Sequence, residues 1–97
     1  MPTLPGVFID LALVVDEDMT YEQVAQRIRS AGGKLLADLR LFDVYRDPVR
    51  VGVHKKSMAF SLEYRAADRT LTSAEVEKAH GKLVTKVMKS TGGEVRS

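Results

Sequence analysis

Cysteine is absent from the 97 residues. That excludes disulfides, thiolate metal sites and cysteine nucleophiles together, and it fits a reducing, cytoplasmic setting. No apolar run approaches the roughly 20 residues of a membrane span, so no membrane partner is expected. The N-terminal stretch MPTLPG has neither a basic region nor a long apolar core, and does not read as a signal peptide. A dominant charge is missing too. The formal net charge is only +2, too small to argue for nucleic acid by itself. There is no GxGxxG, P-loop, HExxH or CxxC. The two histidines, His54 and His80, have no ligand-like spacing to each other or to other donors. Neither is expected to hold a metal or act as a base.

What is present is enough for one folded domain spanning residues 1–97, with an apolar fraction of 44%. A chain this short buries one modest core. Its charges are unevenly placed. Residues 1–20 hold four acids and no base, whereas most bases fall in the loop at 46–56 and along 78–89. A local RNA-binding surface is compatible with that distribution.

Hydrophobic periodicity gives the element order. VFIDLALVV (7–15) reads as a strand whose uniformly large set, Ile9, Leu11, Leu13 and Val15, should face the core. Thr20 and Gln23 form a capping box for a helix with Val24, Ala25, Ile28 and Ala31 on its buried face, ended by Gly32 and Gly33. Residues 35–46 and 55–65 read as the second and third strands. In the third, Met58, Phe60, Leu62 and Tyr64 should point inward, leaving Ser57, Ala59 and Ser61 as a low surface opposite. Thr72 and Glu75 cap a second helix that buries Val76, Ala79, Leu83 and Val87 and stops at Gly92 and Gly93. The closing EVRS is long enough for a short last strand.

The order β-α-β-β-α-β predicts an α+β, ferredoxin-like split βαβ fold: a four-stranded antiparallel sheet with both helices on one face. Right-handed crossovers place the first and third strands in the centre. One sheet face is then free of helices. An acylphosphatase-like activity on this fold would need an asparagine to position water, and the chain contains none. Lys78, Lys82, Lys86 and Lys89 recur at helical spacing, as a solvated face or a phosphate contact on the helical side. The helix-free face should carry Phe8, Asp10, Ala12, Ser57, Ala59 and Ser61, joined by Glu94 and Arg96 if Val95 points inward. An aromatic, small residues and fixed polar groups suit single-stranded RNA. Equally, Phe8 could pack under the N-terminal segment, and Asp10 and Arg96 could form a cross-strand ion pair.

The segments DLALVVDE, GGKLLADLRLFDVYR, KKSMAFSLEYRAADRTLTSAEV and GGEVRS occur in an order and at distances that closely resemble the ferredoxin-fold anticodon-binding domain. That domain lies at the C-terminus of the β chain of bacterial phenylalanine–tRNA ligase. The resemblance runs from about residue 5 to the end, and implies a single domain excised from a longer chain. It implies recognition of the tRNA(Phe) anticodon in support of aminoacylation, with no catalytic site in this domain. Catalysis, with ATP and magnesium, would lie in the α subunit of an (αβ)₂ heterotetramer. Carried over by motif, Phe8 would stack on an anticodon base and Ala12 would let a base lie against its strand. Asp43 would accept base N–H groups, Ser57 would donate and accept, and Arg96 would complete the site. Asp10 belongs to the same surface by alternation.

If Asp43 shares that face, Leu41 and Tyr45 should face outward with it, while Phe42 and Val44 point to the core. Two departures stand out. Ile9 replaces a common arginine, and DPVRVGVH replaces a glycine-rich turn, so the loop's path and any phosphate contact from Arg50, His54 or Lys55 are not carried over from the family. Arg46, Lys55 and Lys56 are candidate phosphate contacts by charge and position. The alternative is a stand-alone ferredoxin-like interaction or dimerisation domain that pairs through its sheet and buries Leu41 and Tyr45.

Overall fold

The computed structural model describes residues 6–96. The expectation about the N-terminal stretch falls largely on residues 1–5, outside that range. Four strands, β1 (Val7–Asp16), β2 (Leu36–Tyr45), β3 (Lys55–Tyr64) and β4 (Glu94–Val95), and two helices, α1 (Tyr21–Gly32) and α2 (Ser73–Thr91), follow in the order β1-α1-β2-β3-α2-β4. The sheet order is β2-β3-β1-β4, antiparallel throughout. This is the α+β split βαβ arrangement, with β1 and β3 central as expected.

Local chemistry sets the helix ends. Thr20 accepts from the Gln23 amide while the Gln23 side chain accepts from the Thr20 amide, and Thr72 and Glu75 repeat the exchange for α2. Each box satisfies two amides that a helix start leaves without intrahelical partners. Gly33 ends α1 at φ 61° and ψ −146°, a conformation open essentially only to glycine. It leads into a 3₁₀ turn at Gly33–Leu35. Gly92 ends α2 in the left-handed region, its N–H donating to the Met88 carbonyl.

The core forms where the inward set of the sheet meets the helices. Leu11, Leu13 and Val15 of β1 and Met58, Phe60, Leu62 and Tyr64 of β3 pack with Val24, Ala25 and Ile28 of α1 and Val76, Leu83 and Val87 of α2. Ile9 and Ala79 lie partly buried against this cluster. The Tyr64 hydroxyl lies 2.8 Å from His80 Nδ1. Burial pushes the Tyr64 phenol up to about 12 and holds the His80 imidazole below its ordinary value, so this pair is a neutral structural contact.

The second strand departs from the expected alternation. Leu41 pairs with Phe60 and Asp43 with Ala59, so Phe42 is an extra residue with no opposite number. An earlier irregularity leaves Ala37 unopposed between Leu36 and Asp38. The inward set is therefore Leu36, Leu39, Leu41 and Val44. Leu41 turns to the core and Phe42 turns out, 55% exposed, the reverse of the expectation for both. A β-bulge reverses parity because two residues span the distance of one. Asp43, Val44 and Tyr45 keep their expected sides. Leu41 is accordingly no part of any sheet-face dimer.

Two stability outcomes follow. A methyl at Gly81 would meet open space on the exposed side of α2, so Gly81→Ala should stabilise the domain by up to ~1 kcal/mol in urea denaturation. A methyl at Gly93 would lie 2.6 Å from the Val14 carbonyl oxygen, so Gly93→Ala should destabilise the domain and loosen β4. His80 supplies a pH signature. Its folded-state pKa is depressed, so the unfolded chain takes up the proton first. Stability should fall as pH drops below about 6.5, and His80→Gln should remove that part of the loss in denaturation curves between pH 8 and 5.

Candidate nucleic-acid interface

The helix-free face is built as rows across the strands, because antiparallel partners point the same way. One row is Asp38, Glu63 and Phe8, and the next is Arg40, Ser61 and Asp10. A third is Asp43, Ala59 and Ala12, and a fourth is Tyr45, Ser57, Val14 and Glu94. All six candidate RNA-binding residues, Phe8, Asp10, Ala12, Asp43, Ser57 and Arg96, are brought to this one surface. Phe8 is 66% exposed.

The third row has a distinct shape. Asp43 is exposed on β2, and beside it lie two methyl groups, Ala59 and Ala12. A flat ring set on the alanines meets little obstruction, and its edge meets the carboxylate. The bulge at Phe42 is what aims Asp43 here.

The fourth row is covered. Arg96 is anchored beside β1 by its N–H donating to the Ala12 carbonyl at 2.8 Å. Its guanidinium carbon lies 4.7 Å from the centre of the Tyr45 ring on the far strand β2. The Arg96 side chain and the Tyr45 ring therefore reach toward each other over the central strands and meet by cation–π attraction. Ser57, beneath this contact, is only 2% exposed. Its hydroxyl becomes available to a ligand only when Arg96 or Tyr45 moves. Among the described residues Arg96 makes no ion pair with Asp10, so the cross-strand pairing left open above is not the arrangement found.

The loop after β2 is organised by Asp47. Its carboxylate accepts from the amides of Val49 and Arg50 and from the Tyr45 hydroxyl at 2.9 Å. The Arg50 amide, then the Tyr45 hydroxyl, hold the Asp47 carboxyl below its usual range. The hydrogen bond to Asp47 in turn raises the Tyr45 phenol. Tyr45 is thereby tethered as a platform under Arg96.

The three candidate phosphate contacts lie in different settings. Lys56 lies on the helix side with Val15 and is 8% exposed, so it does not share the sheet face. Arg46 donates from Nε to both carboxylate oxygens of Glu17, at 2.7 and 2.9 Å, and Lys55 pairs with Asp16. These are exposed pairs, worth little and exchangeable. Glu17 and Asp16 of the acidic run before α1 thus offset two of the bases of this loop. Lys78, Lys82, Lys86 and Lys89 are exposed on α2, away from the sheet face.

Sequence reasoning missed Phe42 and Arg40 as surface residues and did not assign Tyr45 a contact. A signal for the first two existed. Arg40 between Leu39 and Leu41 demands odd-numbered residues inward, whereas Val44 demands even ones, and only an inserted residue reconciles them.

A split βαβ module whose open sheet presents rings, carboxylates and a low alanine floor offers groups of the kind that single-stranded nucleic acid can stack on and hydrogen-bond to. Consistent with this, the model of the ferredoxin-fold anticodon binding domain family matches residues 2–96, and the chain belongs to that family. It is 47% identical over its whole length to part of the phenylalanine–tRNA ligase β subunit of Symbiobacterium thermophilum, covering 11% of that protein. It is 43% identical over 96 residues to the β subunit of Clostridium tetani, covering 99% of this chain and 12% of that protein. The β subunit of Geobacillus kaustophilus is likewise 43% identical over 96 residues, again covering 99% of this chain and 12% of that protein. The chain therefore spans about a ninth to an eighth of the length of these relatives.

The tether on Tyr45 is open to direct measurement. With Asp47→Asn the phenol loses a charged acceptor and an adjacent negative charge, so its pKa should fall back toward 10. An NMR pH titration of the Tyr45 ring would report an unchanged value if Asp47 were not the cause.

Proposed function

We propose that this chain recognises the anticodon of tRNA(Phe), as one domain of the β subunit of a phenylalanine–tRNA ligase, and so supports aminoacylation. The observation that carries this reading is the row Asp43–Ala59–Ala12: a carboxylate aimed along the sheet, beside a floor low enough for an unstacked base. Single-stranded RNA is read by stacking and by hydrogen bonds to exposed base edges, and this row offers both a seat and an acceptor. Family membership and the names of the relatives favour the anticodon of a phenylalanine tRNA as the strand concerned.

Phe8, Asp10, Ala12, Asp43, Ser57 and Arg96 form the reading surface, with Tyr45 as an added platform. A base seated on Tyr45 takes the position that Arg96 now holds, and its arrival uncovers Ser57. Arg46 and Lys55 can exchange their exposed carboxylate partners for phosphates. The remaining partners in this reading are the rest of the β chain and an α subunit in an (αβ)₂ heterotetramer. ATP and magnesium would serve the aminoacylation step there, in the cytoplasm, and this domain contributes binding rather than chemistry.

The test is a titration of the chain with a phenylalanine anticodon stem-loop. Asp43→Ala removes a charge-assisted hydrogen bond, worth ~1.5–3 kcal/mol, and should weaken binding roughly 10- to 100-fold. The dependence on salt should be shallow, since few bases lie near the face. Chemical-shift changes confined to α1 and α2, with Asp43→Ala binding as tightly as the parent, would defeat the assignment.

A further inference from the structure

Between Phe8 and Phe42 the open face sinks into a groove of about 530 Å³. Its floor is the row Arg40–Ser61–Asp10. This groove adjoins the Asp43 row but is separate from it, and most of its residues have no part in the reading above. Phe42 is present only because the bulge turns it outward. It closes one end of the groove, and Phe8 closes the diagonally opposite end.

The floor has an uncommon charge arrangement. Asp10 stands on β1 and Arg40 on β2, with Ser61 between them on β3. Two inter-strand spacings, together about 10 Å, separate the two backbones. The intervening serine is too small to fill that space. Neither charge is in an ion pair with another of the described residues. An acceptor and a donor therefore face each other across a shallow seat. Asp38 and Glu63 add two more carboxylates to the lining, Glu63 lying 3.8 Å from Arg65 Nε and Asp38 in no ion pair with another of the described residues. Carboxylates outnumber the single guanidinium, so a phosphate is repelled. An apolar protein surface laid over the groove would bury both charges without partners, at considerable cost. A flat group with N–H donors on one edge and acceptors on another satisfies both.

We infer that this groove is a second nucleotide subsite, which takes the base next to the one read by Asp43 and selects for a base bearing an exocyclic amino group. Adenine, cytosine and guanine each offer such an amino group to Asp10, together with a ring nitrogen or carbonyl oxygen for Arg40. Uracil offers a single N–H flanked by two carbonyl oxygens, which the carboxylate repels. The Phe42 ring supplies an apolar wall for stacking. The inference rests on the sheet face being the RNA surface, as proposed above.

The experiment is a set of titrations with the phenylalanine anticodon stem-loop, each loop position carrying each of the four bases in turn. One position should prefer amino-bearing bases over uracil about tenfold or more, and Asp10→Asn should abolish that preference at this position alone. Asp43→Ala should act at a different, neighbouring position. Phe42→Ala should weaken binding roughly 5- to 100-fold, the range for loss of one base–aromatic stack. Phe42 is exposed, so the variant should melt as the parent does, and a melting curve checks this. If Phe42→Ala and Arg40→Gln bind within twofold of the parent while Asp43→Ala is weakened, the subsite is refuted and the anticodon-binding reading stands. If Asp43→Ala is inert as well, the reading of the whole face fails. If Phe42→Ala leaves RNA binding intact but abolishes association with the remainder of a β chain, the groove is a protein contact and the inference is wrong.

Discussion

The pairing of β1 with β3 is the constraint on which the rest depends. Ten consecutive residues of each strand are in register, from Val7 opposite Tyr64 to Asp16 opposite Lys55. The register assigns sides. Leu11 with Phe60 and Leu13 with Met58 go to the core, while Asp10 with Ser61 and Ala12 with Ala59 go to the open face. Because the side-chain period is two, a slip of one residue would exchange the core set for the reading set. Stability and recognition are thus fixed by the same hydrogen-bond ladder. A substitution chosen to alter one face acts on a strand whose other face holds the core.

The edges carry what the centre cannot. The central strands keep strict alternation, whereas β2, an edge strand, bears both irregularities. An extra residue can be accommodated there because only one neighbour must adjust. The second irregularity turns Phe42 out and places Asp43 beside the alanine floor. At the opposite edge, β4 is two residues long and delivers Arg96. Arg96 and Tyr45 then reach toward each other over the central strands, and Ser57 is buried on the one face that no helix covers. The surface of the free domain is therefore partly folded onto itself. On the proposed reading, a base bound at that end of the sheet would replace the cation–π contact, which would lower the net gain in affinity.

Electrostatics follows the same division. The bases that suggest a nucleic-acid loop are largely neutralised on site: Arg46 by Glu17 and Lys55 by Asp16. The groove between Phe8 and Phe42 has an excess of carboxylates. The face is suited to reading base edges more than to gripping phosphates. On the proposed reading, a small module built this way favours discrimination over affinity, because few phosphate contacts are available to it.

The sequence by itself determined the element order, both capping boxes, the glycine stops, the inward sets of β1 and β3, and hence the sheet topology. Periodicity and cap chemistry are local, and local patterns survive being read one residue at a time. The resemblance added the family and the expected roles of five residues, Phe8, Ala12, Asp43, Ser57 and Arg96, that share one face. Tertiary structure decided the rest. The bulge at Phe42 depends on how β2 must sit against β3, so Leu41 and Phe42 exchange the sides that simple alternation gives them. Ser57 is covered by Arg96 and Tyr45, which only meet once all four strands are assembled. The parity conflict within β2 calls for an inserted residue, but its position is settled by the pairing with β3, and the meeting of Arg96 with Tyr45 joins distant segments that no pattern within one segment encodes.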